Sequence, residues 1–142
     1  MPSSTFRPDT QSVTIEVAPS HVFAFLAEPE NLPLWAVGFC RSIRQDTCAD
    51  RWIVTTTQGD VPIRFATLEA AGTIDFYFTP VPGAELAAFS RVVPNGDGSE
   101  YIFTQFQSSG MPDEVFESQV RALTGELRVL QGLLMARATC PA

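Results

Sequence analysis

Residues 12–17, Ser-Val-Thr-Ile-Glu-Val, alternate polar and apolar side chains, the period-two signature of a strand with one buried face. Pro19 fits the first turn of a helix, where a missing N–H costs nothing, and Val22, Phe23 and Leu26 follow at helical spacing. Glu28-Pro29 ends that helix, because a residue before proline is pushed out of the α region. The segment Glu30-Asn31-Leu32-Pro33-Leu34-Trp35 then reads as a second short helical turn ending on an aromatic anchor. A broken helical clasp is therefore predicted directly after the first strand.

From Ala36 to Gln107 the pattern is strand after strand, placed near 37–45, 50–57, 60–68, 72–79, 84–93 and 99–107. Gln58-Gly59-Asp60, Ala71-Gly72 and Pro80-Val81-Pro82-Gly83 supply turns, and Pro94-Asn95-Gly96-Asp97-Gly98 is the clearest hairpin signal, with Asn-Gly and Asp-Gly offering positive-φ positions. Such short connections make neighbouring strands antiparallel. Residues 111–135 form a long amphipathic helix opened by Pro112, Asp113 and Glu114, with Phe116, Val120, Leu123, Leu127, Leu130 and Leu134 as its apolar stripe. Glu117 and Arg121 are spaced as an i,i+4 pair, and Gly125 and Gly132 leave room for a close approach of the sheet or a slight bend. A helix with that face needs a curved sheet to lie across, so the pattern predicts an α+β helix-grip fold: seven antiparallel strands around a C-terminal helix over 111–136.

At 142 residues the chain reads as one domain, with 1–10 as a frayed leader lacking the apolar core of a signal peptide. No apolar run nears the roughly 20 residues needed to cross a bilayer, so membrane insertion is not expected and the reading is cytoplasmic. Cys40, Cys48 and Cys140 lack metal-ligand spacing and read as free thiols, Cys40 as a small buried residue of a strand. The chain has no lysine and one histidine, which removes Schiff-base chemistry, a phosphate-loop lysine and polyhistidine metal sites. A net charge of −7 argues against nucleic acid as a partner. No metal and no organic cofactor is expected.

Three stretches carry a resemblance to a known family. Val13-Thr14-Ile15-Glu16-Val17-Ala18-Pro19-Ser20-His21-Val22-Phe23-Ala24-Phe25-Leu26 looks like the opening strand and helix start of the START-like (SRPBCC) superfamily, which includes polyketide cyclases and birch-pollen-allergen-like proteins. Residues 91–104 resemble its penultimate hairpin, and residues 116–134 its closing helix. The resemblance implies the helix-grip fold over about residues 11–135 and an internal cavity lined by the helix, the clasp and the concave sheet face. On that analogy Trp35, Phe39, Trp52, Phe76, Phe78, Arg91, Phe103, Phe116, Val120 and Leu123 are expected to line a ligand site.

Each candidate also has an ordinary structural reading. For any single one of these aromatic residues, packing in the core is the stronger reading. His21, the sole imidazole, is the natural general acid or base but has no carboxylate spaced to orient it. Asp75 and Tyr77 share the solvent side of a strand whose other face, Ile74, Phe76 and Phe78, is apolar. Arg64 and Arg91 each interrupt a strand; turned inward, Arg91 would fix a ligand carboxylate or phenolate, and turned outward it is a solvated cation. Three functions follow: a carrier or sensor of a hydrophobic or aromatic small molecule; a cofactor-free cyclase or dehydratase assisted by Arg91, Tyr77 or His21; or a closed-core protein acting through its surface, like co-chaperone or antitoxin relatives. Exposed strand edges are also compatible with a homodimer.

Overall fold

The structure, a computed structural model, describes residues 5–47 and 50–139; Cys48 and Cys140 lie outside them. Seven strands form one antiparallel sheet in the order β1-β7-β6-β5-β4-β3-β2: β1 Pro8–Ile15, β2 Ser42–Gln45, β3 Trp52–Thr56, β4 Gly59–Leu68, β5 Thr73–Val81, β6 Ala84–Asn95 and β7 Gly98–Phe106. Strands β2 to β7 are a continuous meander, and β1 closes onto β7 at the far edge with Ile15 opposite Ser99. Between β1 and β2 lie α1 (Pro19–Ala27), a 3-10 turn (Pro29–Asn31) and α2 (Leu32–Trp35), the broken clasp with Pro19 at its expected place. The final helix α3, Asp113–Thr139, packs along β1 and against α2. This is the α+β helix-grip architecture.

The hairpins follow their residues. Asn95 pairs with Gly98 across a Gly96-Asp97 loop in which Gly96 alone takes positive φ, and Val81 pairs with Ala84 across Pro82-Gly83, where proline precedes the positive-φ glycine. Gly72, at φ 71°, accepts the Val92 N–H on its carbonyl so tightly that a Cβ there would collide with the Val92 carbonyl oxygen. That contact locks the β4–β5 connection onto β6.

The core lies between the concave face of the sheet and the clasp with α3, and includes Ile15, Val22, Leu26, Trp35, Val54, Ile74, Tyr101 and Leu130. Its polar atoms are satisfied in a chain: Tyr101 donates to Ser90 Oγ at 2.9 Å, and Ser90 donates to the Ile74 carbonyl at 2.6 Å. Ser99 does the same for the Val17 carbonyl at 2.6 Å, tying the start of the clasp to β7.

Several boundaries differ from the expected ones. The first strand starts at Pro8, inside the stretch read as a frayed leader, because Asp9 and Gln11 take its inward positions and erase the apolar alternation. Gln11 Nε2 and Gln105 Nε2 both donate to the Asp9 carboxylate, at 2.8 and 3.1 Å, and hold that polar end of the strand in register. Cys40 belongs to no strand: Phe39 and Cys40 N–H groups close back on the Ala36 carbonyl, so the chain turns before β2 begins. Glu117 reaches Arg7 at 3.4 Å instead of Arg121. Gly125 and Gly132 face open space, so neither serves a close approach.

Candidate functional site

The gap between α3 and the sheet is not filled. A cavity of about 1020 Å³ lies there, walled by the concave side of β4 to β7, the end of α2 with the turn after it, and one strip of α3. Strand periodicity brings Ile63, Phe76, Phe78, Leu86, Ala88 and Phe103 to its floor. Four exposed apolar residues border it: Phe6 before β1, Val81 at the tip of the β5–β6 hairpin, and Phe89 with Phe106, whose rings lie 6.4 Å apart and join Tyr77 on the outer face.

Six of the ten expected lining residues are brought together here: Trp35, Phe39, Phe76, Phe78, Phe103 and Leu123. Phe39 meets Phe78 with ring centroids 5.9 Å apart, Phe76 meets Phe103 at 5.9 Å, and Trp35 lies edge-on to buried Tyr101 at 6.2 Å. These edge-to-face and tilted contacts make a stiff aromatic wall.

The other four are elsewhere, each for a definable reason. Trp52 is on the concave side in the same cross-strand row as Ile63 and Phe78, but it stands on β3, nearer the sheet edge, and lines a separate depression of about 410 Å³ with Ala27 and Pro29. Arg91 points outward, where its Nε donates to the Ala71 carbonyl at 2.9 Å. Phe116 is buried beneath the Arg7 guanidinium, 5.3 Å from its ring centroid, outside the main core. Val120 faces β1, its carbonyl accepting Gln11 Nε2 at 3.0 Å. Arg64 also lies on the outer face, 4.4 Å over the Tyr77 ring, its cross-strand partner, and 3.9 Å from Glu85. His21 is exposed on α1 and is not part of the cavity wall.

What sequence reasoning missed is Glu126. The strip of α3 that faces the cavity is Gln119, Ala122, Leu123 and Glu126, one helical face at steps of three and four, and half of it is polar. Glu126 is only 8% exposed, and its Oε2 accepts the Gly38 N–H at 2.9 Å from the turn after α2. Burial pushes its carboxyl up from 4.5 to about 7, with the Gly38 and Phe39 N–H groups pulling in the other direction. The available signal was its spacing, three residues after Leu123 and four before Leu130, inside an otherwise apolar stripe.

The remaining titratable groups near the interior are quiet. Cys40 is buried, donates weakly to the Ser42 carbonyl, and has its thiol pushed up to about 11 by burial and then by the neighbouring Glu126 charge. Such a thiol is a packing group and not a nucleophile. The phenol of Tyr101 is raised by burial, against the hydrogen bond to Ser90. Among the described residues no group of three or more His, Cys, Asp or Glu is placed to hold a metal, and no helix is long and apolar enough to cross a membrane.

No protein-family model and no curated protein matches the chain. Solved structures do share its fold. The Zhui aromatase/cyclase from Streptomyces sp. R1128 superposes with TM-score 0.73 at 15% identity, over 96% of this chain and 98% of that one. The di-domain ARO/CYC BexL of the BE-7585A biosynthetic pathway gives TM-score 0.76 at 14% identity, over 94% of this chain and 48% of BexL, so the chain matches half of that protein. Ara h 8.0201 gives 0.67 at 17% identity, over 93% and 99% of the two chains. At such identities the likeness establishes the helix-grip fold and nothing finer.

Proposed function

We propose that this protein takes up a hydrophobic or aromatic small molecule in the cavity between α3 and the sheet, as a carrier or sensor. The observation that carries the reading is the cavity itself. Its volume of about 1020 Å³ is just above the roughly 300–1,000 Å³ typical of small-molecule sites. Six of its lining residues are among those that the family resemblance implied. The aromatic rings offer apolar burial, and Glu126 with Gln119 offers the few polar groups that orient a ligand. The unfilled space beside α3 favours uptake over a purely surface-acting role.

A second reading is favoured by one specific feature. A buried carboxyl with its pKa near 7, at the wall of an apolar cavity, has the properties of a general acid or base. In a cofactor-free cyclase or dehydratase, Glu126 would hold the role that Arg91, Tyr77 and His21 were expected to fill.

Native mass spectrometry of the purified protein, before and after gentle organic extraction, tests the uptake reading. A bound mass that extraction removes supports it. A protein that carries no adduct and also fails to bind added neutral aromatic compounds contradicts it.

A further inference from the structure

The cavity wall has a one-sided charge. All nine arginines lie within the described residues, and none of them contributes to the wall; neither does His21. Its ionisable members are Glu126, inside, and Glu85, at the rim. Glu85 is 57% exposed and lies 3.9 Å from Arg64 on the outer face, so solvent and a cation both blunt it. Glu126 has no cation among the wall residues beside it: it accepts from the Gly38 and Phe39 N–H groups, and the buried Cys40 thiol lies close enough to feel its charge.

The geometry also leaves Glu126 with capacity to spare. An ionised carboxylate offers about four acceptor sites. The turn after α2 supplies two N–H groups, both on the same side as Gly38 and Phe39. The backbone contact fixes the side chain in place, so the carboxylate does not have to be reoriented to meet a ligand.

We infer that Glu126 is the specificity-determining residue of the cavity, and that the site selects aromatic or polycyclic molecules bearing a protonated amine over molecules bearing a carboxylate. This rests on the uptake reading above and adds the chemical class of the ligand. An organic anion would bring a second negative charge into an apolar enclosure that holds no cation to receive it. A protonated amine would find an acceptor already buried and in position, with aromatic faces such as Phe39 and Phe78 beside it to receive cationic charge. The inward arginine that would have suited an acid is outside, on the Ala71 carbonyl.

A matched set of bicyclic probes tests it: 2-naphthylmethylamine, 2-naphthalenemethanol and 2-naphthoate, titrated by fluorescence near pH 8, where Glu126 is ionised. The expected order is amine, then alcohol, then carboxylate, with about a hundredfold between the ends. In Glu126→Gln the amine-to-carboxylate ratio falls to about threefold or less, whereas Glu69→Gln, an exposed change outside the cavity wall on the β4–β5 connection, keeps most of it. Equal binding of all three probes overturns the inference and leaves the uptake reading standing. An equal response to both substitutions also overturns it, because the preference would then belong to the net charge of the chain. Failure of even the neutral alcohol to bind overturns the uptake reading, and this inference with it.

Discussion

The Oε2 atom of Glu126 accepts the backbone N–H of Gly38 at 2.9 Å, joining the middle of the long helix to the turn that ends the clasp. A carboxylate in that place has a cost, and the cost depends on pH. Below about 4.5 the group is protonated in both folded and unfolded chains. As pH rises the unfolded chain ionises first, so stability is lost through the range up to about 7 and stays lost above it. The expected difference between pH 4.5 and pH 8 is on the order of 3 kcal/mol from this group. Urea denaturation across that range should show the fall in wild type and a flatter profile in Glu126→Gln.

Gly38 is part of the same contact. A Cβ added there would stand 3.2 Å from Glu126 Oε2 and 3.3 Å from the Ala122 methyl, tighter than ordinary packing, and the carboxylate is held where it is. Gly38→Ala should cost about 1 kcal/mol, read as a lower urea midpoint at unchanged slope.

Gly125 and Gly132 predict the opposite sign. Each sits in the interior of α3 with nothing near a built Cβ. Alanine at either position should raise stability by up to about 1 kcal/mol, and the double variant should show near-additive gains in thermal unfolding.

The Tyr101–Ser90–Ile74 chain is directional, which separates two substitutions that look alike. Tyr101→Phe removes the outer donor and leaves Ser90 still bonded to the Ile74 carbonyl, at a cost of about 1 kcal/mol. Ser90→Ala strands the fully buried Tyr101 hydroxyl and also removes the bond to the Ile74 carbonyl, and should cost about 2 kcal/mol or more. Equilibrium unfolding of the pair checks the order.

The architecture was legible because its signals are local. Pro19, Glu28-Pro29 and the glycine turns punctuate the chain, and the leucines of α3 mark the buried helix face. The site was legible only in part, because period two tells which side of the sheet a residue faces and not which strands the cavity covers. Trp52 shows this: it is inward and level with Ile63 and Phe78, yet on β3, nearer the sheet edge, where it lines the other depression. Arg91 needed knowledge of the Ala71 carbonyl, a contact 20 residues distant that no spacing announces. The apolar stripe of α3 drew attention to Phe116 and Val120, which pack near Arg7 and β1, and away from Glu126, whose polarity is what marks the cavity face.

Ligand uptake between α3 and the sheet is the central claim, and filling that space is its most direct test. Ala88 lies on the cavity floor in the middle of β6, so Ala88→Trp should occupy the space meant for a ligand, while Arg91→Ala alters only the outer face. Fluorescence titration of 2-naphthalenemethanol into wild type and both variants, each first shown to be folded by circular dichroism, is the measurement. The account predicts that Ala88→Trp weakens binding by about tenfold or more and that Arg91→Ala stays within about twofold of wild type. Equal affinity in wild type and a folded Ala88→Trp variant would contradict it.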